Sequence, residues 1–257
     1  MANALPAIEA HLSSSAHKSM GNSAAKPSRA HADHVFFATS ALLILAVVFI
    51  GFARSYYLVG MLRAHLPTVL IHIHGALMSC WVLLFIAQVA LVSAKRIDWH
   101  MRLGILGMGL AGLIVPIGFA TLIQTVRHRY MFFGKNMDLV LAGDVLQLSL
   151  FAALIIWAFC VRRDGAAHKR LMLLAMVTLL GPAIARWPFA FAHSFVGFFS
   201  LLDAIPLLLI AFDLVSRRRL HRATTLGVAL VLGMQLSILP LAHSASWHHF
   251  TLWIQNY

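Results

Sequence analysis

The residues of this chain with chemistry to offer are ionisable side chains set inside long apolar runs. His74 lies within 67–94, Asp144 within 139–161 and Asp203 within 194–216, and Arg186 ends the shorter run 171–185. An ionisable group in such a place is costly, so it marks a ligand site, a proton path or a polar lock between helices. A lone carboxylate there must lose its charge or meet a cation. At the depth of Asp144 and Asp203 the candidate partners are His74, His193, His243, Arg186 and Arg54. Gln147 follows Asp144 on the same helical face. These residues predict one polar site towards the outer leaflet. Asp213, close to Arg217, is expected to form an interfacial ion pair instead.

His72 and His74 point about 200° apart on a regular helix, so one ion cannot take both. His74 heads a stripe of Met78, Trp81, Phe85 and Gln88, polar at both ends and aromatic between, which predicts a face turned into the bundle. Its imidazole suits a satisfied interior hydrogen bond, a haem or metal ligand, or proton transfer.

A histidine beside basic residues recurs at the starts of three runs: Trp99-His100-Met101-Arg102, Ala167-His168-Lys169-Arg170 and Leu220-His221-Arg222. Amphipathic cations suit the headgroup level of a bilayer. A ring of imidazoles would instead ligate a haem or relay protons. Gly104, Gly107, Ala111 and Gly118 form a small-residue stripe, which favours close helix packing or leaves a slot for a flat macrocycle.

The elements that must carry these residues are seven apolar runs, at 35–53, 67–94, 103–126, 139–161, 168–187, 194–216 and 224–244. A bilayer core about 30 Å thick needs roughly 20 helical residues. Six runs reach that length, and the fifth reaches it if Lys169, Arg170 and Arg186 snorkel to the interfaces. With 61% apolar and 11% charged residues and a mean hydropathy of +0.84, the chain is expected to be an all-α, polytopic transmembrane bundle. Residues 1–33, rich in Ala, Ser and His, read as a disordered cytoplasmic tail without a signal-peptide pattern, ahead of a seven-helix domain over 34–257. The +12 charge sits in loops, which argues for the positive-inside rule and against nucleic acid as a partner. Alternate loops place fourteen Lys and Arg on one side and six on the other, predicting N-in, C-out. Cys80 and Cys160 lie at different depths, so neither a disulfide nor a thiol metal site is expected. No hydrolase, zincin, CxxC or nucleotide-loop motif occurs.

Several segments carry a family resemblance. They are Phe52-Ala53-Arg54-Ser55-Tyr56-Tyr57-Leu58, the block from His72-Ile73-His74-Gly75 to Trp81 and Gln88, and Asp98-Trp99-His100-Met101-Arg102-Leu103-Gly104. His168-Lys169-Arg170-Leu171, Ala183-Ile184-Ala185-Arg186-Trp187 and Asp213-Leu214 through Leu220-His221 continue it. In combination they resemble a family of bacterial seven-span integral membrane proteins of unassigned activity. The resemblance covers nearly everything after Asp33 and implies a multi-pass protein of the bacterial inner membrane, with no reaction attached. A looser similarity is to four-helix di-haem b-type cytochromes. It implies an outer haem b on His74 with His193 or His243, and an inner one on His100 and His168, although runs four and six lack mid-span histidines.

Three functions remain open at this point: a b-type haem or metal redox protein, a proton-coupled small-molecule carrier or binder without cofactor, and a structural or assembly subunit of a membrane complex. The lipid bilayer is the partner common to all three.

Overall fold

The computed structural model describes residues 29–58, 68–128 and 136–256. Most of the predicted tail, and loop residues such as Arg63, Arg129 and Lys135, lie outside the described residues. In chain order the helices are α1 (Arg29–Phe52, followed by a π-helical turn at Ala53–Tyr57), α2 (Val69–Ser93), α3 (Ile97–Arg127) and α4 (Met137–Cys160). Then come α5 (Gly165–Thr178), α6 (Gly181–Ile184), α7 (Ala190–His193), α8 (Phe195–Arg217), α9 (Arg222–Ala242) and α10 (Ala245–Asn256). Among the described residues the architecture is all-helical. Six helices, α1 to α4, α8 and α9, are long and apolar enough to cross a membrane, as a helical membrane bundle requires.

Local sequence explains the starts. Asn136, Asp164, Ser194 and His221 each accept a hydrogen bond from a backbone N–H of the helix they open, at 2.9–3.1 Å. The N–H of Ala167, then that of Ala166, hold the Asp164 carboxyl below the usual carboxylate range. Its contribution is therefore present above the unfolded pKa and fades as pH falls through the depressed folded value. Asp164→Ala is expected to cost about 1 kcal/mol. Melting in detergent should show the gap to the parent protein at neutral pH and its closure in acid.

Charged residues end an apolar run but not a helix. Hence α3 begins at Ile97, placing His100 and Arg102 on its first turns, and α1 is already helical over 29–33, inside the predicted tail. Asp33 on α1 meets Lys169 at 2.6 Å. The charge-free stretch after Thr224 divides at His243–Ser244, and α10 folds back onto the ends of α3 and α4. There the indole N–H of Trp247 donates to the Asp138 carbonyl at 3.0 Å, and His248 Nδ1 lies 2.8 Å from the Asp138 carboxylate.

The fifth run departs most from expectation. It is not one continuous helix: α5 stops at Thr178, and α6 restarts at Gly181. Pro182 has no N–H to return to the carbonyl of Thr178, so the ladder must break there. Arg170 does not snorkel; it is wholly buried with Leu171, Leu173, Leu174 and Val177. α5 is the central element, packed by α4, α8, α9 and α1. Gly227 lets α9 approach it, because a Cβ there would overlap Leu174.

The small-residue stripe of α3 packs tightly against its neighbours. A Cβ at Gly107 would meet Leu84 at 3.0 Å and one at Gly118 would meet Leu148 at 2.8 Å, so side chains of α2 and α4 fill the groove. A closer approach joins α1 to α6, where a Cβ on Gly51 would fall against the backbone of Ala183, 2.8 Å from its Cα. No flexible side chain can yield there. Gly51→Ala is expected to destabilise by on the order of 1–3 kcal/mol. Gly109→Ala, whose Cβ would meet nothing within 4 Å, is the matched control in detergent melting.

Candidate functional site

The end of the bundle where α1, α3, α5 and α9 begin carries the arginine-rich turns and is called the basic end here. Towards the opposite end the break between α5 and α6 opens a cavity of about 910 Å³. Its apolar walls include Met78, Trp81, Phe198, Phe199 and Leu202. Its polar groups include His74 on α2, Asp144 and Gln147 on α4, Arg186 after α6, His193 at the end of α7, Asp203 on α8, Gln235 on α9, and Tyr56 and Tyr57 on the π-helical turn. Irregular backbone within a membrane bundle is tolerated where it lines such a space.

The polar groups fall into two sets. In the first, Gln147 Nε2 donates to Asp144 Oδ1 at 2.5 Å. Arg186 donates to the Pro182 carbonyl at 2.7 Å, lies 4.9 Å over the ring of Phe52, and acts electrostatically on both Asp144 and His74. In the second, Gln235 Nε2 donates to Asp203 Oδ1 at 2.8 Å, tying α9 to α8. Two nitrogens stand apart: His74 Nδ1 and Trp81 Nε1 are buried without a hydrogen-bond partner. An indole N–H can only donate, so Trp81, 3% exposed, has an unmet demand for an acceptor.

The residues picked from the sequence are thus placed unevenly. His74, Asp144, Arg186, Asp203 and His193 line the cavity. His72, Arg54 and His243 are exposed and outside its wall, with the His72 ring 5.7 Å from that of Tyr56. Gln88 does not belong to this site. Fourteen residues of helix carry it to the basic end, where its amide lies beside Gly104. Gln235 was not singled out from sequence, and Tyr56 and Tyr57 entered only as part of a resemblance segment. An amide within a charge-free run was the only signal for Gln235.

At the basic end the three repeated histidines separate. His100 and His168 sit together, ring centroids 6.3 Å apart and nearly perpendicular, with His168 Nδ1 2.9 Å from the Ala158 carbonyl. The Nδ1 of His100 is buried without a partner. His221 instead caps α9. Burial, with the charges of Arg170 and Arg217, holds it below the ordinary histidine value, which keeps its Nδ1 free to accept from Ala223. The partner of Asp213 is Arg170 and not Arg217. The Arg170 guanidinium grips its carboxylate through Nε, at 3.1 and 3.3 Å, and through a second nitrogen. Thr224 and the His221 backbone N–H complete the set at 2.5 and 3.1 Å. Both side chains are fully buried, so this is an interior lock joining α5, α8 and α9.

Among the described residues no group of three or more His, Cys, Asp or Glu side chains could hold a metal ion. For two haems, the outer set offers His74 and His193 on the cavity wall while His243 lies off it, and the inner set offers the His100–His168 pair outside the cavity. No protein-family model, no curated protein and no solved structure matches this chain.

Proposed function

We propose that this multi-pass membrane protein binds a small molecule in the cavity opposite its basic end, as a proton-coupled carrier or binder without a cofactor. The observation that carries the reading is the cavity itself: about 910 Å³ of largely apolar space lined by a few convergent polar side chains, among them His74, Asp144, Gln147, Arg186, Asp203 and Gln235. Pockets that take small ligands combine such apolar walls with a few convergent polar groups. Thermal stability of the purified protein should depend on pH, and that dependence should shrink in Asp144→Asn. An unaltered response in the variant would reject the reading.

The His100–His168 pair supports a second reading, a haem-binding redox protein. It requires purified protein to carry a Soret band that shifts on dithionite reduction. Colourless folded protein would exclude it.

The same proposal includes seven spans, N-in and C-out, in the bacterial inner membrane that the family resemblance implies. In support, α5 and α6 together run from the basic end to the cavity, so the broken segment serves as the fifth crossing. A reporter fused after Tyr257 should behave as periplasmic and one inserted within 217–222 as cytoplasmic. The reverse pattern would mean that the broken segment does not cross.

A further inference from the structure

We infer that the ligand of the cavity is an organic cation: an ammonium group on an apolar or aromatic body, held at Asp203 and reached from water at the end opposite the basic end. The inference rests on the ligand-binding reading above and names the class of molecule for that site.

The balance of charge on the wall gives the sign. Among the described residues the wall carries two carboxylates, Asp144 and Asp203, and one guanidinium, Arg186. His74 and His193 add charge only when protonated. Arg186 acts electrostatically on Asp144, which is held by Gln147 on its own helix. Asp203 is half-buried and is held by Gln235, whose Nε2 donates to Oδ1 at 2.8 Å and brings no charge. With both carboxylates ionised, the wall is one positive charge short. A carboxylate inside a membrane bundle takes a proton or meets a cation, and a cationic ligand is the partner that lets Asp203 keep its charge.

The side of α8 that carries Asp203 gives the body. Phe195, Phe199 and Asp203 are spaced i, i+4 and i+8, so they follow one another along one side of the helix, and all three line the cavity. The Phe199 ring is tilted against Phe195 at 4.8 Å and meets Phe198 edge-on at 5.3 Å. Faces of such rings attract cations and accept apolar groups, a combination that suits an ammonium on a hydrocarbon frame and not an anion. The rim gives the route. Tyr57, Asn136, His193 and Ser194 line the cavity and are exposed, so its mouth carries polar groups that water reaches. Phe195 follows at the start of α8, and Asp203 lies eight residues further in, about 12 Å along the helix. A cation entering there passes the phenylalanines before it reaches the carboxylate.

The test uses full-length protein in nanodiscs and three probes that share one body: phenylbutyltrimethylammonium, phenylbutanol and phenylbutanoate. Each is titrated by calorimetry at neutral pH, with empty nanodiscs as the blank. The ammonium compound is expected to bind at least about tenfold more tightly than the alcohol, and the carboxylate most weakly. Asp203→Asn keeps an acceptor for Gln235 and removes the charge, so it should weaken the ammonium compound at least about tenfold and the alcohol far less. Phe199→Leu should weaken the ammonium compound about threefold more than the alcohol, which keeps the inference testable if Asp203→Asn does not fold. Equal affinity for alcohol and ammonium would overturn the cation, and tightest binding by the carboxylate would overturn it in favour of Arg186. An ammonium affinity unchanged in folded Asp203→Asn would overturn the assignment to Asp203. Each of these results leaves ligand binding itself standing. No saturable binding by any of the three, in protein with a parental melting curve, overturns the inference, and the ligand-binding reading is then decided by the pH response of Asp144→Asn.

Discussion

Asp213→Ala is expected to be among the most damaging single changes in the chain, costing roughly 3–5 kcal/mol, because it strands a guanidinium that is shut away from water. Arg170 and Asp213 are each 0% exposed, and the carboxylate also receives Thr224 and the His221 backbone. Its removal takes the partner from four donors on three segments at once. Arg170→Ala should cost a similar amount by leaving the carboxylate buried without its cation. The paired change Arg170→Met with Asp213→Leu should recover much of the loss, since apolar residues of similar volume replace buried ion pairs at little net cost. Detergent melting temperatures of the two singles and the double decide it. A double variant no more stable than the worse single would show that the lock depends on something other than charge complementarity.

That lock also marks where the sequence stopped being readable. Span existence was legible because apolar length is a one-dimensional property: the termini of α2, α4, α8 and α9 fall within about two residues of the hydropathy limits. Arg170 was not, since a basic residue at the end of a short apolar run looks the same whether it reaches lipid headgroups or a buried carboxylate. Only the packing of α5 inside a ring of other helices distinguishes the two, and packing is not a local property. The break at Leu179–Leu180 was hidden in the same way, although Gly181-Pro182 was its visible cause. For the cavity, the sequence supplied the expensive groups, His74, Asp144, Arg186 and Asp203, because burial cost attaches to residue type. It did not supply their pairings. Depth along a span is readable, but rotation about the helix axis relative to neighbours is not, so Arg54, His243 and Gln88 entered the candidate set although they lie outside the cavity wall.

The pairing itself makes the last prediction. Hydrogen bonds tie Asp144 to Gln147 and Asp203 to Gln235, and the Arg186 charge acts on Asp144 through space. Removing Arg186 takes away the cation that acts on Asp144, whereas removing both removes the cost of that charge as well. Asp144→Asn and Arg186→Gln should therefore be non-additive, with a coupling of about 0.5–3 kcal/mol in detergent melting. Asp203→Leu and Gln235→Leu should couple in the same range, because either single leaves a hydrogen-bonding group without its partner. Crossing the sets gives the decisive comparison. If the two sets are separate, Asp203→Asn combined with Arg186→Gln is additive to within about 0.5 kcal/mol. His243→Ala, exposed and outside the wall, should leave all of these values unchanged. A large coupling between Asp203 and Arg186 would mean that the two carboxylates compete for one guanidinium. The cavity would then hold one merged charge cluster.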